Sequence, residues 1–199
     1  MELNSCNDFF QDRLDDYISN KKIVYLDILG FDEIPYDWIL VEESEDEKIK
    51  KEEKILNEKD KNIIQEINGG NKEFNEGDWL IGWRGEYFVY RKLIKKFGID
   101  NVYWHNKDAK SSSDDKKGID IEVKNNLGIT VHNIEVKTTK KSTAKGMNNK
   151  ENVTFYMSIN QYKAAQTYGK DTHLIFVTGI DENPELLYMN FDNNWLGKS

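Results

Sequence analysis

Residues 118–141 read GIDIEVKNNLGITVHNIEVKTTKK, and within them the tetrapeptide IEVK occurs twice, at 121–124 and at 134–137. Both copies alternate apolar with polar residues, the period of a half-buried β-strand. Ile119, Ile121 and Val123 then share one face, with Asp120, Glu122 and Lys124 on the other. In the second copy Ile134 and Val136 oppose Asn133, Glu135 and Lys137. Asn125-Asn126-Leu127-Gly128 between them supplies the residue types of a tight turn. A hairpin folded there brings Asp120 opposite Glu135 or within about two residues of it, with the register open. Two similar strands thus build one shared polar face carrying two carboxylates and, two residues beyond Glu135, a lysine.

Outward from the hairpin, DWLIGWRGEYFVYRKLIKKFG (78–98) predicts a largely buried helix capped by Asp78 and ended by Gly98. Glu86 falls in a row of small and apolar residues on that helix, where a carboxylate requires a partner. VYWHN (102–106) predicts a strand, followed by a polar loop. Downstream come a short strand, VTFYM, and a helix, SINQYKAAQTYG, opening on a Ser158/Gln161 capping box. A buried strand, THLIFVTG, and a final strand, LLYMNF, complete the order. The capping box by itself accounts for Gln161.

The first third is different in character. Residues 1–76 hold 10 Lys and Arg against 21 Asp and Glu, whereas 77–199 hold 18 against 15, within a total formal charge of -8. The C-terminal part is therefore the one suited to a polyanion. Phe10, Leu14 and Tyr17 mark a short amphipathic helix, KIVYLDIL (22–29) a strand or an apolar docking segment, and residues 44–67 a mostly solvated helix stopped at Gly69-Gly70. Ile49, Leu56 and Ile63 recur every seventh residue, too thinly for a coiled coil. A single cysteine, Cys6, excludes an intrachain disulfide. The absence of a signal-type N-terminus or a long apolar run leads to the expectation of a cytoplasmic protein with no membrane partner. The chain divides into an acidic helical extension and linker, 1–77, and an α/β domain, 78–199.

Gly118-Ile119-Asp120, then Glu135-Val136-Lys137 across a hairpin, preceded by a helix with Gly85-Glu86 and followed by a helix and a strand, resembles the PD-(D/E)xK nuclease superfamily. More narrowly, W-x-N at 104–106 and FYMSINQ before a strand resemble a nuclease-like domain of unknown function attached to ATPase or helicase modules. The resemblance covers roughly residues 78–180. It implies a restriction-endonuclease-like core, αβββαβ, with a mixed central sheet flanked by helices. It implies that Asp120 and Glu135 bind Mg²⁺ or Mn²⁺, that Lys137 is the catalytic lysine, that Glu86 ligates the metal directly or through water, and that Gln161 joins the site. Ile119 stands where the family signature has proline. The first IEVK, with Asp108, Asp114 or Asp115 upstream, is the competing frame.

The expectation is metal-dependent hydrolysis of DNA, RNA being the second choice, with Lys140, Lys141, Lys145 and Lys150 on backbone phosphate. Family analogy adds a role in defence against foreign DNA, an ATPase or helicase partner for the extension, and a homodimer where both strands of a duplex are cut. Trp104 is expected in the core, and His105 and His132 at the surface. The rival expectation is an inactive nuclease-fold module that binds nucleic acid or protein within a larger complex.

Overall fold

The computed structural model describes residues 24–29, 38, 46–68, 75–108, 118–140 and 152–190. Its elements are β1 (Val24–Leu29), α1 (Glu47–Asn68), α2 (Asn75–Phe97), β2 (Val102–Trp104), β3 (Ile121–Lys124), β4 (Thr130–Thr138), β5 (Asn152–Met157), α3 (Ile159–Tyr168), β6 (Thr172–Thr178) and β7 (Glu185–Asn190). The helix of Phe10, Leu14 and Tyr17, the aspartates 114 and 115, and the lysines 141, 145 and 150 lie outside the described residues.

Five strands form one mixed sheet in the order β2-β3-β4-β6-β7, and β1 pairs separately with β5. All pairs in the main sheet are antiparallel except β4 with β6. The chain is therefore α/β, with helices on both faces of its sheet. VTFYM forms a strand as expected but joins β1.

The doubled IEVK sets the register. Ile121 pairs with Ile134 and Glu122 with Asn133, and a bulge follows between Val123 and Lys124. Ile121, Val123, Ile134, Val136, Ile175 and Val177 join the α2 residues Trp83, Tyr87, Val89, Tyr90 and Ile94 in one core. By alternation Glu122, Asn133, Glu135 and Lys137 face the opposite side, where α3 packs. That side is buried too at β4, where Asn133 is 4% and Glu135 1% exposed.

Helix α2 begins at Asn75, so Asp78 lies inside it. Its end is as expected: Gly98 takes φ 85° and donates its N–H to the Ile94 carbonyl. Gly85 lets α2 lie directly on β4, because a Cβ there would collide with the Thr138 side chain. The charged helix α1 is solvated over much of its surface, yet Ile49 and Leu56 are buried, and Ile63 and Ile64 pack on the same core. One apolar residue per heptad suffices here because the seam meets a broad apolar helix, α2, and Glu53 bonds Arg91 and Lys95 beside it.

Candidate active site

Asp120 stands just before β3 and is 4% exposed. Its backbone N–H donates to the Ile134 carbonyl at 3.1 Å, which places it opposite Glu135. Its Oδ2 accepts from the backbone N–H of Val136 at 2.7 Å, so the carboxylate is anchored between Glu135 and Lys137. Gly118, two residues earlier, takes φ 67°. A Cβ on it would lie 2.6 Å from the Asn160 carbonyl carbon and oxygen and 2.8 Å from the Gln161 nitrogen. Only glycine allows this close crossing, which seats the start of α3 beside Asp120.

Glu135 and Lys137 point to the same side of β4 and form an ion pair of 2.6 Å. Gln161 closes a triangle: its Nε2 donates to Glu135 Oε1 at 2.5 Å, and its Oε1 accepts from Lys137 Nζ at 3.2 Å. The same Oε1 accepts from the Ser158 backbone N–H at 2.8 Å in the capping box. Cap and site are therefore one arrangement, because the cap fixes the amide oxygen and turns the amide N–H groups toward the buried carboxylate.

Glu86 reaches the same region from α2. Its Oε2 accepts from the Trp104 indole N–H at 2.6 Å and from Asn106 Nδ2 at 3.1 Å. Asn106 Nδ2 also lies 3.2 Å from Asp120 Oδ1, so this one amide ties the two carboxylates together. Burial, then the charge of Asp120 and more weakly that of Glu135, hold the Glu86 carboxyl well above the usual carboxylate range, while the Trp104 and Asn106 hydrogen bonds pull it down. The partner that a carboxylate in an apolar row requires is thus a pair of neutral donors.

Three carboxylates and one lysine therefore sense one another in a low-dielectric setting. Their donor set is all oxygen, the choice of a hard divalent cation, and its negative charge is what such an ion would relieve. Asp120 and Glu135 are placed where they could hold such an ion, and Glu86 could reach it directly or through water. Among the described residues no group of three His, Cys, Asp or Glu is gathered into a ready ion cage. Waters would complete the shell of an ion here, as Mg²⁺ prefers.

The first IEVK is occupied elsewhere. Glu122 bonds His105 at 2.8 Å and Thr130 at 3.2 Å and lies 3.9 Å from Lys124, while Asp108 is exposed. Lys140 is exposed at the end of β4 and lies 3.6 Å from Asp181, a carboxylate also bonded by Arg84. Trp104 is in the core, 6% exposed, as its sequence context predicts. His105 and His132 are not simply at the surface. Both are partly buried, His105 on Glu122 and His132 with its Nδ1 2.9 Å from His173 Nε2. His173 in turn bonds the Tyr188 hydroxyl at 2.7 Å, and Trp38 packs edge-on against both imidazoles. Burial lowers the pKa of His132 and that of His173, the latter to about 3.

Two contributors escape sequence reasoning as site residues: Trp104, through its N–H, and Asn106. The one available signal is the W-x-N pattern, which names the residues without their roles. Residues 85–189, just over half of the chain, match the family model described as Protein NO VEIN, C-terminal. That span contains Glu86, Trp104, Asn106, Asp120, Glu135, Lys137 and Gln161. No curated protein and no solved structure matches.

Proposed function

We propose that this chain, which belongs to the Protein NO VEIN, C-terminal family, is a metal-dependent nuclease of the PD-(D/E)xK type, with a restriction-endonuclease-like core, that hydrolyses phosphodiester bonds in DNA. One observation carries the reading: the Asp120 carboxylate hangs on the Val136 N–H, between a buried Glu135 and the lysine paired with it. An ion pair alone does not call for a second buried acid at the same strand step. Replacing water around three acids costs stability, and sites that keep such clusters do so for chemistry.

Asp120 and Glu135 would hold Mg²⁺ or Mn²⁺, and Glu86 would reach the ion directly or through water. When bound, the ion polarises the phosphate and makes water a better nucleophile near neutral pH. Lys137 is positioned by Glu135 and Gln161 to orient the attacking water and to offset charge that develops on the phosphate. Gln161 keeps Lys137 from collapsing wholly onto Glu135, because it accepts from the ammonium and donates to the carboxylate. Asn106 and Trp104 fix Glu86 relative to Asp120. Lys140 and the lysines that follow it are proposed to meet backbone phosphate, where Lys140 exchanges Asp181 for the nucleic acid.

The test is cleavage of single-stranded DNA, duplex DNA and RNA by wild type and Asp120→Asn with Mg²⁺, Mn²⁺ or EDTA. Metal-dependent cleavage that falls at least about 100-fold in Asp120→Asn supports the reading; no cleavage of any substrate in either metal rejects it. The alternative is a non-catalytic binding module, in which Lys137 and Gln161 serve only to neutralise and satisfy the buried Glu135. Binding of nucleic acid that is indifferent to EDTA, without cleavage, selects that alternative.

A further inference from the structure

We infer that the outer face of the β2–β3 pair is a base-stacking subsite, with Tyr103 as its platform, and that the chain therefore engages its nucleic acid as an unpaired strand. The inference rests on the nuclease reading for the identity of the ligand, and on separate residues for its geometry. Tyr103 is 45% exposed, although its neighbours on β2, Val102 and Trp104, are buried in the core. A large aromatic ring is thus held at the surface by a strand that is rigidly packed from behind. Lys124 Nζ stands 4.2 Å from the ring centroid, and His105 and Glu122 flank the same surface. They form one wall of a groove of about 460 Å³ along the free edge of β2, whose α2 side is lined by Glu52, Tyr90, Ile99 and Lys107.

Register places the Tyr103 ring relative to the catalytic row. Tyr103 pairs with Glu122, and Glu122 with Asn133, so all three point to the face of the sheet that carries Glu135 and Lys137. Asn133 precedes Glu135 by two residues on β4, and β2 lies two strands from β4. Strand rise and spacing put the Tyr103 and Glu135 backbones about 12 Å apart. A strand cut at Glu135 and Lys137 has a neighbouring nucleotide within reach of Tyr103. β2 is also the terminal strand of the sheet, so no further strand walls the groove on that side among the described residues.

The charge of the groove favours a base over a phosphate as its occupant. Lys107 pairs with Glu52 and Lys124 lies 3.9 Å from Glu122, so each lysine of the groove is matched by an acid. A phosphate clamp needs a surplus of positive charge, whereas stacking needs only an exposed flat ring. Every base offers a π-face, but only when it is not stacked within a duplex. An unpaired strand is therefore the substrate class this surface selects.

The experiment is fluorescence anisotropy with a fluorescein-labelled oligothymidylate and with a blunt duplex of equal length. Ca²⁺ replaces Mg²⁺, and wild type, Tyr103→Phe and Tyr103→Ala are compared, each checked for an unchanged melting temperature. Wild type should bind the single strand more tightly than the duplex. Tyr103→Ala should weaken single-strand binding about 10- to 100-fold, and Tyr103→Phe should restore it. Should Tyr103→Ala fail to fold, Tyr103→Leu, apolar but not flat, takes its place with the same expected loss. Unchanged single-strand affinity in the alanine or leucine variant overturns the subsite even if wild type cleaves DNA. Conversely, binding through Tyr103 by a wild type that cuts nothing sustains the subsite and rejects the catalytic reading. Binding of neither probe by wild type overturns both. An equal loss with oligouridylate supports the stack and extends it to RNA.

Discussion

Glu86 shows how single side chains set the chemistry of the site. Its carboxylate is held by two neutral donors, the Trp104 indole and the Asn106 amide, among two other acids. Trp104→Phe keeps a ring against Trp83 and Tyr87 but removes the N–H. The expected result is a loss of about 1–3 kcal/mol in stability from the lost hydrogen bond to the buried carboxyl, and a 10- to 100-fold loss of Mn²⁺ affinity as Glu86, left with Asn106 alone, loses its orientation. Urea denaturation and calorimetric titration check the two. The buried His173 makes a pH-dependent contribution of definite sign. Its folded pKa lies near 3, below the 6.5 of the free side chain, so the unfolded chain takes up a proton that the folded one refuses. That stability is fully present above about pH 6.5 and is lost as the pH falls toward 3, by up to about 1.4 kcal/mol per pH unit. His132 acts in the same direction, with Asp171 opposing. The melting temperature of wild type should fall between pH 7 and pH 4.5, and His173→Gln should flatten that fall.

At the scale of elements, the hairpin and the start of α3 are locked together by Gly118. Gly118→Ala drives a Cβ into the Asn160 carbonyl and the Gln161 nitrogen, at a backbone φ that alanine resists. Gly128, in the hairpin turn, has φ 77° but open space around it. Both variants carry the backbone penalty of about 1 kcal/mol, but only Gly118→Ala displaces α3. Gly118→Ala should cost clearly more stability than Gly128→Ala and abolish cleavage, while Gly128→Ala leaves activity intact; thermal melts and initial rates measure both. The strands themselves were legible, because period-two alternation and the Asn125–Gly128 turn dictate a hairpin that brings Asp120 near Glu135, though not its register. The bulge after Val123 was not, since it follows from the register of the turn against the sheet. Gln161 looked ambiguous in sequence because one amide performs both roles at once.

Across the whole molecule, the acidic extension and the sheet domain share a core. Leu56 of α1 is 1% exposed against α2, and Trp38 packs on His132, His173, Phe97 and Tyr188. Leu56→Ala should therefore destabilise the full chain by about 2–5 kcal/mol, read by chemical denaturation, whereas a merely solvated helix would lose almost nothing. Sequence showed that helix and its seven-residue spacing; it did not show what covers the seam, because α2 carries apolar residues around most of its circumference. Asn106 is the clearest case of what a linear reading lacks. It meets Glu86 across 20 residues and Asp120 across 14, a meeting that only the packed β2–β3 pair produces.

The most direct test of metal-dependent phosphodiester hydrolysis is the initial rate of DNA cleavage in Mg²⁺ by Lys137→Ala relative to wild type, with folding verified by melting temperature. Lys137 lies beside the acids without being one of the proposed ligands, so its loss should spare Mn²⁺ binding while the rate falls by at least about 100-fold. A Lys137→Ala protein that cuts as fast as wild type, or a wild type that binds metal and nucleic acid yet never cuts, would contradict the account.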